Sequence, residues 1–117
     1  MIRLCLFYRK SFRRVLQAFA GQPEDVRLSW REQEFYIWSD VMHVDFQDSF
    51  FDYYTCDSPT SITITPRSCR RLVRNWSRNQ VLTLELLPSE ECLRFVLQPR
   101  NGGPVHQGVL LDVGSNP

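Results

Sequence analysis

The chain has 117 residues, 43% of them apolar and 23% charged, which suits one globular domain and excludes wholesale disorder or a fibrous repeat. No apolar run approaches the ~20 residues of a spanning helix, so no membrane span is expected, and Met1–Leu6 is too short for a signal peptide and lacks its cleavage site. Net charge is +1, yet ten of the fourteen positive charges fall in two acid-free segments, and thirteen of the fourteen are arginine.

Ile2–Tyr8 reads as a strand of bulky apolar residues bounded by charge. Lys10–Ala20 reads as a helix, because Phe12, Val15, Leu16 and Phe19 recur at the spacing of one buried stripe. Gly21 stands where a C-terminal cap belongs, and Pro23 stops any continuation. Val26–Trp30 and Phe35–Trp38 read as short strands around the polar turn Arg31–Glu34. Val44–Tyr54 holds at least one strand, interrupted near Asp48-Ser49. Ser61–Thr65 is a β-branched strand; Thr65 then serves as N-cap and Pro66 as the first residue of a helix running over Arg67–Arg78. Val81–Leu87 and Cys92–Gln98 alternate in hydropathy on either side of the turn Pro88-Ser89-Glu90. Asn101-Gly102-Gly103-Pro104 is a second turn, Val105–Val113 a last strand, and the end of the chain a loose tail over 115–117.

The order strand, helix, three strands therefore occurs twice. Ser11-Phe12-Arg13-Arg14-Val15-Leu16 matches Ser68-Cys69-Arg70-Arg71-Leu72-Val73 at an offset of 57 residues, followed on the same stripe by Phe19 and Trp76. The expected fold is α+β, with two βαβββ halves over 1–57 and 58–114 and two helices on one face of an antiparallel sheet.

Projected at about 100° per residue, the first helix has its apolar stripe on one side and Lys10, Arg13, Arg14 and Gln17 on the other. In the second, Cys69, Leu72, Val73 and Trp76 oppose Arg67, Arg70, Arg71, Arg74 and Arg78. Like charges at i, i+3 and i+4 repel by a few tenths of a kcal/mol per pair, and no glutamate is mixed in to relieve them. A phosphate backbone facing the stripe would remove that repulsion and release counterions, and arginine suits planar phosphate contact. A solvated charged face without a partner is the plainer alternative. No Gly-rich phosphate loop and no interleaving of aromatic with basic residues appears, so base-specific reading is not expected.

These residues resemble one domain of the DNA sliding clamp family, and most nearly the N-terminal domain of the proliferating cell nuclear antigen type. Ser11–Phe19 looks like that family's first helix. Phe51-Asp52-Tyr53-Tyr54-Thr55-Cys56-Asp57 is close to its Phe-Asp-x-Tyr-x-Cys-Asp segment. Ser68–Arg74 with Val81-Leu82-Thr83-Leu84 looks like its second helix and next strand, and Leu110-Leu111-Asp112-Val113 resembles the start of its interdomain linker. The stretch from His43 to Phe51 is shorter than in the replicative clamps, and its Phe50-Phe51 pair looks more like the checkpoint clamp subunits that signal DNA damage. The family's eukaryotic chains carry two such domains, six of which close a ring, whereas this chain carries one, spanning 1–114.

The resemblance implies a nuclear protein that binds duplex DNA without reading sequence, as a processivity or checkpoint platform for replication and repair proteins. The implied DNA contacts are Lys10, Arg13, Arg14, Arg67, Arg70, Arg71, Arg74 and Arg78. His43-Val44 resembles the His-Val of the front-face loop that helps bind partner peptides. Clamp-type subunits would join through sheet edges, as a homo- or hetero-oligomer. A protein–protein adaptor that keeps the fold and never encircles DNA is the alternative.

No enzyme, metal or cofactor is expected. His43 and His106 are the only histidines and lie far apart, Asp45, Asp48 and Asp52 read as surface carboxylates, and no nucleophile motif stands out. The widely spaced Cys5, Cys56, Cys69 and Cys92 read as reduced thiols of an intracellular protein. Trp30, Trp38 and Trp76 read as core and sheet-surface residues.

Overall fold

A computed structural model describes residues 1–87 and 92–110. The turn expected at Pro88-Ser89-Glu90, the continuation of the last strand to Val113, the linker-like segment beyond Leu110 and the tail over 115–117 lie outside the described residues. The elements are β1 (Ile2–Phe7), α1 (Lys10–Ala20), β2 (Val26–Trp30), β3 (Glu34–Trp38), β4 (His43–Gln47), a 3-10 turn (Asp48–Phe50), β5 (Tyr53–Cys56), β6 (Thr60–Ile64), α2 (Pro66–Asn75), β7 (Gln80–Leu87), β8 (Cys92–Pro99) and β9 (His106–Leu110). No helix among the described residues is long and apolar enough to cross a membrane.

The fold is α+β, with two antiparallel sheets where the sequence suggested one. One sheet has the order β5-β1-β7-β8-β9 and the other β4-β3-β2-β6. Sequence patterning locates hairpins, because their strands are neighbours along the chain. It does not show where β1 and β6 go, because their pairings are long-range. β1 leaves its own half and pairs with β7, setting Leu4 opposite Leu84 and Leu6 opposite Leu82. β6 does the converse and pairs with β2, setting Ile62 opposite Leu28 and Ile64 opposite Val26. Each half thus lends its first strand to the sheet of the other. A second difference lies in the first half, which carries four strands after its helix. The segment read as one interrupted strand is two: β4 ends the four-stranded sheet, and after the 3-10 turn β5 joins β1 in the five-stranded one.

Tyr54 fastens β5 to the β2–β3 turn of the other sheet. Its hydroxyl lies 2.6 Å from the Arg31 carbonyl and 2.7 Å from the Glu34 carbonyl, which share its one proton, and it accepts from the Arg31 amide at 3.2 Å. Burial pushes its phenol pKa well above the ordinary value, so the hydroxyl stays a donor.

The inner faces of both sheets and the apolar stripes of both helices form one core cluster. Phe12, Leu16 and Phe19 of α1 and Cys69, Leu72 and Val73 of α2 are all buried, as the spacing requires. Phe12 is fully enclosed, with ring centroids of Phe46 at 5.1 Å, Phe51 at 5.9 Å and Trp76 at 6.1 Å. Trp30 and Trp76 are core residues, whereas Trp38 is half-buried on the outer sheet face with the Arg27 guanidinium 4.6 Å above its ring.

The N-cap of α2 forms as its sequence dictates: Thr65 Oγ1 accepts from the Ser68 amide at 3.2 Å, and Pro66 takes the first helical position. The C-terminus comes earlier than expected, at Asn75. Trp76 adopts extended backbone, its ring meets Tyr8 and Phe12, and its indole N–H donates to the Gln80 carbonyl at 3.1 Å. Burying that ring turns the chain out of the helix, so Arg78 sits in the following turn. At the second expected turn, Gly102 (φ 81°) and Gly103 (φ 128°) occupy backbone conformations that other residues rarely adopt.

Candidate functional site

α1 and α2 lie side by side and antiparallel, the start of α1 beside the end of α2. Their polar faces hold the cations that the sequence singled out. Lys10, Arg14, Arg67, Arg70, Arg71 and Arg74 are exposed and Arg13 is half-buried. The repeat relates them pairwise: Lys10 to Arg67, Arg13 to Arg70 and Arg14 to Arg71. Among the described residues, the ion pairs are Met1–Asp57, Arg3–Glu85, Arg94–Glu85 and His43–Asp45. No carboxylate in that set serves Lys10, Arg13, Arg14, Arg67, Arg70 or Arg74, so among the described residues the charge of these six is not neutralised by an ion pair.

The structure sorts these cations by environment. Arg13 donates to the Val73 carbonyl at 3.2 Å, and Arg70 donates to the Ala20 carbonyl at 2.8 Å. Arg71 lies with its guanidinium carbon 5.2 Å from the Phe95 ring centroid. It also approaches β9 so closely that a Cβ built on Gly108 would stand 2.6 Å from its terminal nitrogen, so a glycine there leaves the guanidinium room. Lys10, Arg14, Arg67 and Arg74 make no side-chain hydrogen bond or ion pair with the described residues and point their charge to solvent. Between the end of α1 and the middle of α2, Gln17, Ala20, Gly21, Arg70, Val73 and Arg74 line an open groove of about 420 Å³. Its floor is apolar and its rim carries the two arginines.

Arg78 does not join the helical stripe, because α2 has ended before it. His43 and Val44 are the first residues of β4, at the open edge of the four-stranded sheet, and not part of a loop. His43 is exposed, with Asp45 within ion-pair distance and the Tyr36 ring edge-on at 5.4 Å. Val44 is half-buried opposite Ile37.

The remaining reactive side chains are engaged elsewhere. Asp52 accepts the Phe7 amide at 2.8 Å, so with Asp45 beside His43 two of the three acidic candidates face protein partners. His106 packs against Phe95 at 5.6 Å between centroids. None of the four cysteines is in a disulfide. Burial pushes the Cys69 thiol up to about 12, with nearby Arg70 opposing weakly, and burial likewise raises that of Cys56, so both are protonated at neutral pH.

Sequence reasoning missed the carbonyl contacts of Arg13 and Arg70. Two signals pointed to them: arginine at the same repeat position in both helices, and Pro23 just past α1, where its missing N–H leaves a helix carbonyl in want of a donor. No protein-family model matches the chain, and no curated protein matches its sequence.

Proposed function

We propose that the chain is a clamp-type domain that binds duplex DNA through the paired helices, without sequence preference, as a platform for replication or repair proteins in the nucleus. The observation that carries this reading is the layer of exposed cations Lys10, Arg14, Arg67 and Arg74 on two antiparallel, acid-free helices related by the repeat, none of the four paired with a carboxylate among the described residues. Solvent-facing guanidinium groups at helical spacing offer point contacts to phosphates and nothing that reads a base edge. Such binding is driven by counterion release and is steep in salt. With Lys10, Arg14, Arg67 and Arg74 each meeting a phosphate, the log–log salt slope is expected near −3 to −4 per domain, at about −0.9 per contact. Titrating two unrelated duplexes across a salt series tests it. Affinities tenfold apart at one salt concentration, or a flat slope, would overturn the reading.

The two sheets favour a second component. β4 and β9 each close a three-strand meander and each leave a row of backbone groups without a strand partner among the described residues. Open edges template pairing with another chain. In this reading they join clamp-type subunits, and His43 and Val44 on the β4 edge contact partners. The same edges would serve an adaptor that never encircles DNA. Light scattering separates the two: a closed ring or stable heteromer supports the clamp, whereas a lone monomer that does not bind duplex supports the adaptor.

A further inference from the structure

The two arginines that contact carbonyls sit at equivalent repeat positions, and each meets an acceptor that its own helix end leaves over. The carbonyls of the last turn of a helix have no intrahelical partner. In α1, the Gly21 amide takes Gln17 and Ala18, and the Gln22 amide takes Phe19. Ala20 remains, and Pro23, three residues on, has no N–H to give. Arg70 fills that position. In α2, the Trp76 amide takes Leu72, and the Asn75 side chain takes the Arg71 carbonyl at 2.7 Å. The Ser77 amide, which a longer helix would send to Val73, bonds instead to Gln80 Oε1 at 2.8 Å. Val73 remains, and Arg13 fills that position. Each guanidinium also places positive charge at the negative end of the other helix, where a cation is favoured, and α1 has no basic residue of its own in its last turn.

We infer that Arg13 and Arg70 form a reciprocal clasp that sets the spacing of the two helices, and that they are positioning residues for phosphate binding and not phosphate contacts. This deepens the proposed function and rests on it: the contacts are the four solvent-facing cations, and the clasp holds them in one array. Arg74 shares a groove with Ala20, Arg70 and Val73, so loosening the clasp moves the ground beneath a contact residue.

Salt dependence distinguishes the roles, because the slope counts phosphate contacts whereas positioning alters affinity alone. Methionine keeps the apolar stem and removes both the charge and the donors. For Arg13→Met with Arg70→Met, the slope on duplex DNA should stay at the parent value while affinity falls three- to tenfold at every salt concentration. Arg14→Met with Arg74→Met, the control, should lower the slope by about 1.8 in magnitude, two contacts at about 0.9 each. A slope loss in the clasp pair equal to that of the control would make Arg13 and Arg70 phosphate contacts and overturn the inference. Unchanged slope with unchanged affinity would make them merely structural and overturn it as well. Thermal unfolding is read in parallel and needs no DNA. The clasp variants, singly and together, should unfold several degrees below the parent, and the control should not. If the parent chain binds no duplex, the functional reading fails, yet the thermal arm still reports whether the clasp exists. The single variants Arg13→Met and Arg70→Met, each leaving one half of the clasp in place, keep the test open should the double variant not fold.

Discussion

Arg14→Glu combined with Arg74→Glu is expected to lower duplex affinity on the order of a hundredfold at low salt, because two phosphate contacts are lost and two repulsions take their place. The thermal midpoint should barely move. Both side chains are exposed and make no side-chain hydrogen bond or ion pair with a described residue, and surface changes of this kind usually stay within about 0.5 kcal/mol. The local terms oppose one another. Glu at 74 would attract Arg70 and Arg71 one turn back, where arginine now repels them. It would also place an acid near the C-terminal end of α2, which the helix dipole disfavours. Arg71 is left out of this variant because it packs on Phe95, so changing it would mix folding with binding. Affinity and midpoint are measured on the same preparation. Loss of folding with binding retained in the folded fraction would mean that the cationic face is not the binding face.

Phe12→Ala is the converse experiment, with a large effect on folding and none of its own on binding. Phe12 is fully buried among rings from β4, the segment before β5, and the end of α2. Removing a phenyl group from such a site costs about 3–5 kcal/mol through lost burial and the cavity left behind. That is a large share of the ~5–15 kcal/mol that holds a typical domain together. Chemical denaturation should show the unfolding free energy fall by that amount, while the salt slope on duplex DNA of the fraction still folded stays at the parent value. A loss below about 1 kcal/mol would mean that the Phe12 site collapses around the missing ring, or that α1 is not anchored there.

Much of this architecture was legible in the chain. The 3.6-residue recurrence of Phe12, Leu16 and Phe19, and of Cys69, Leu72, Val73 and Trp76, located both helices and their buried sides. Alternation located β7 and β8, and the Thr65-Pro66 pair marked the start of α2 to the residue. What was not legible was non-local. Nothing in Ile2–Phe7 says that its partner is β7, because strand pairing over that separation is decided by which apolar faces can be closed together. The end of α2 was misplaced because helical periodicity continues through Trp76 to Arg78, and only the packed ring shows that Trp76 leaves the helix. The cationic stripe was visible, but its division was not. Spacing treats Arg13 and Arg14 alike, whereas the neighbouring helix offers a carbonyl to the first and solvent to the second.

The exchange of first strands between the halves bears on how the chain reaches this structure. Neither half contains a complete sheet, so neither is a self-sufficient folding unit: within its own half β1 has only the short β5 to pair with, and its other edge stays open until residues 81–86 have been made and brought back to it. The hairpins and helices can form early from local contacts. The closures β1–β7 and β2–β6 require long loops to be drawn in first, and that ordering slows folding. During synthesis, Leu4 and Leu6 would wait for Leu84 and Leu82, made about eighty residues later, which makes the nascent first half the stage at which aggregation or capture by a chaperone competes with folding.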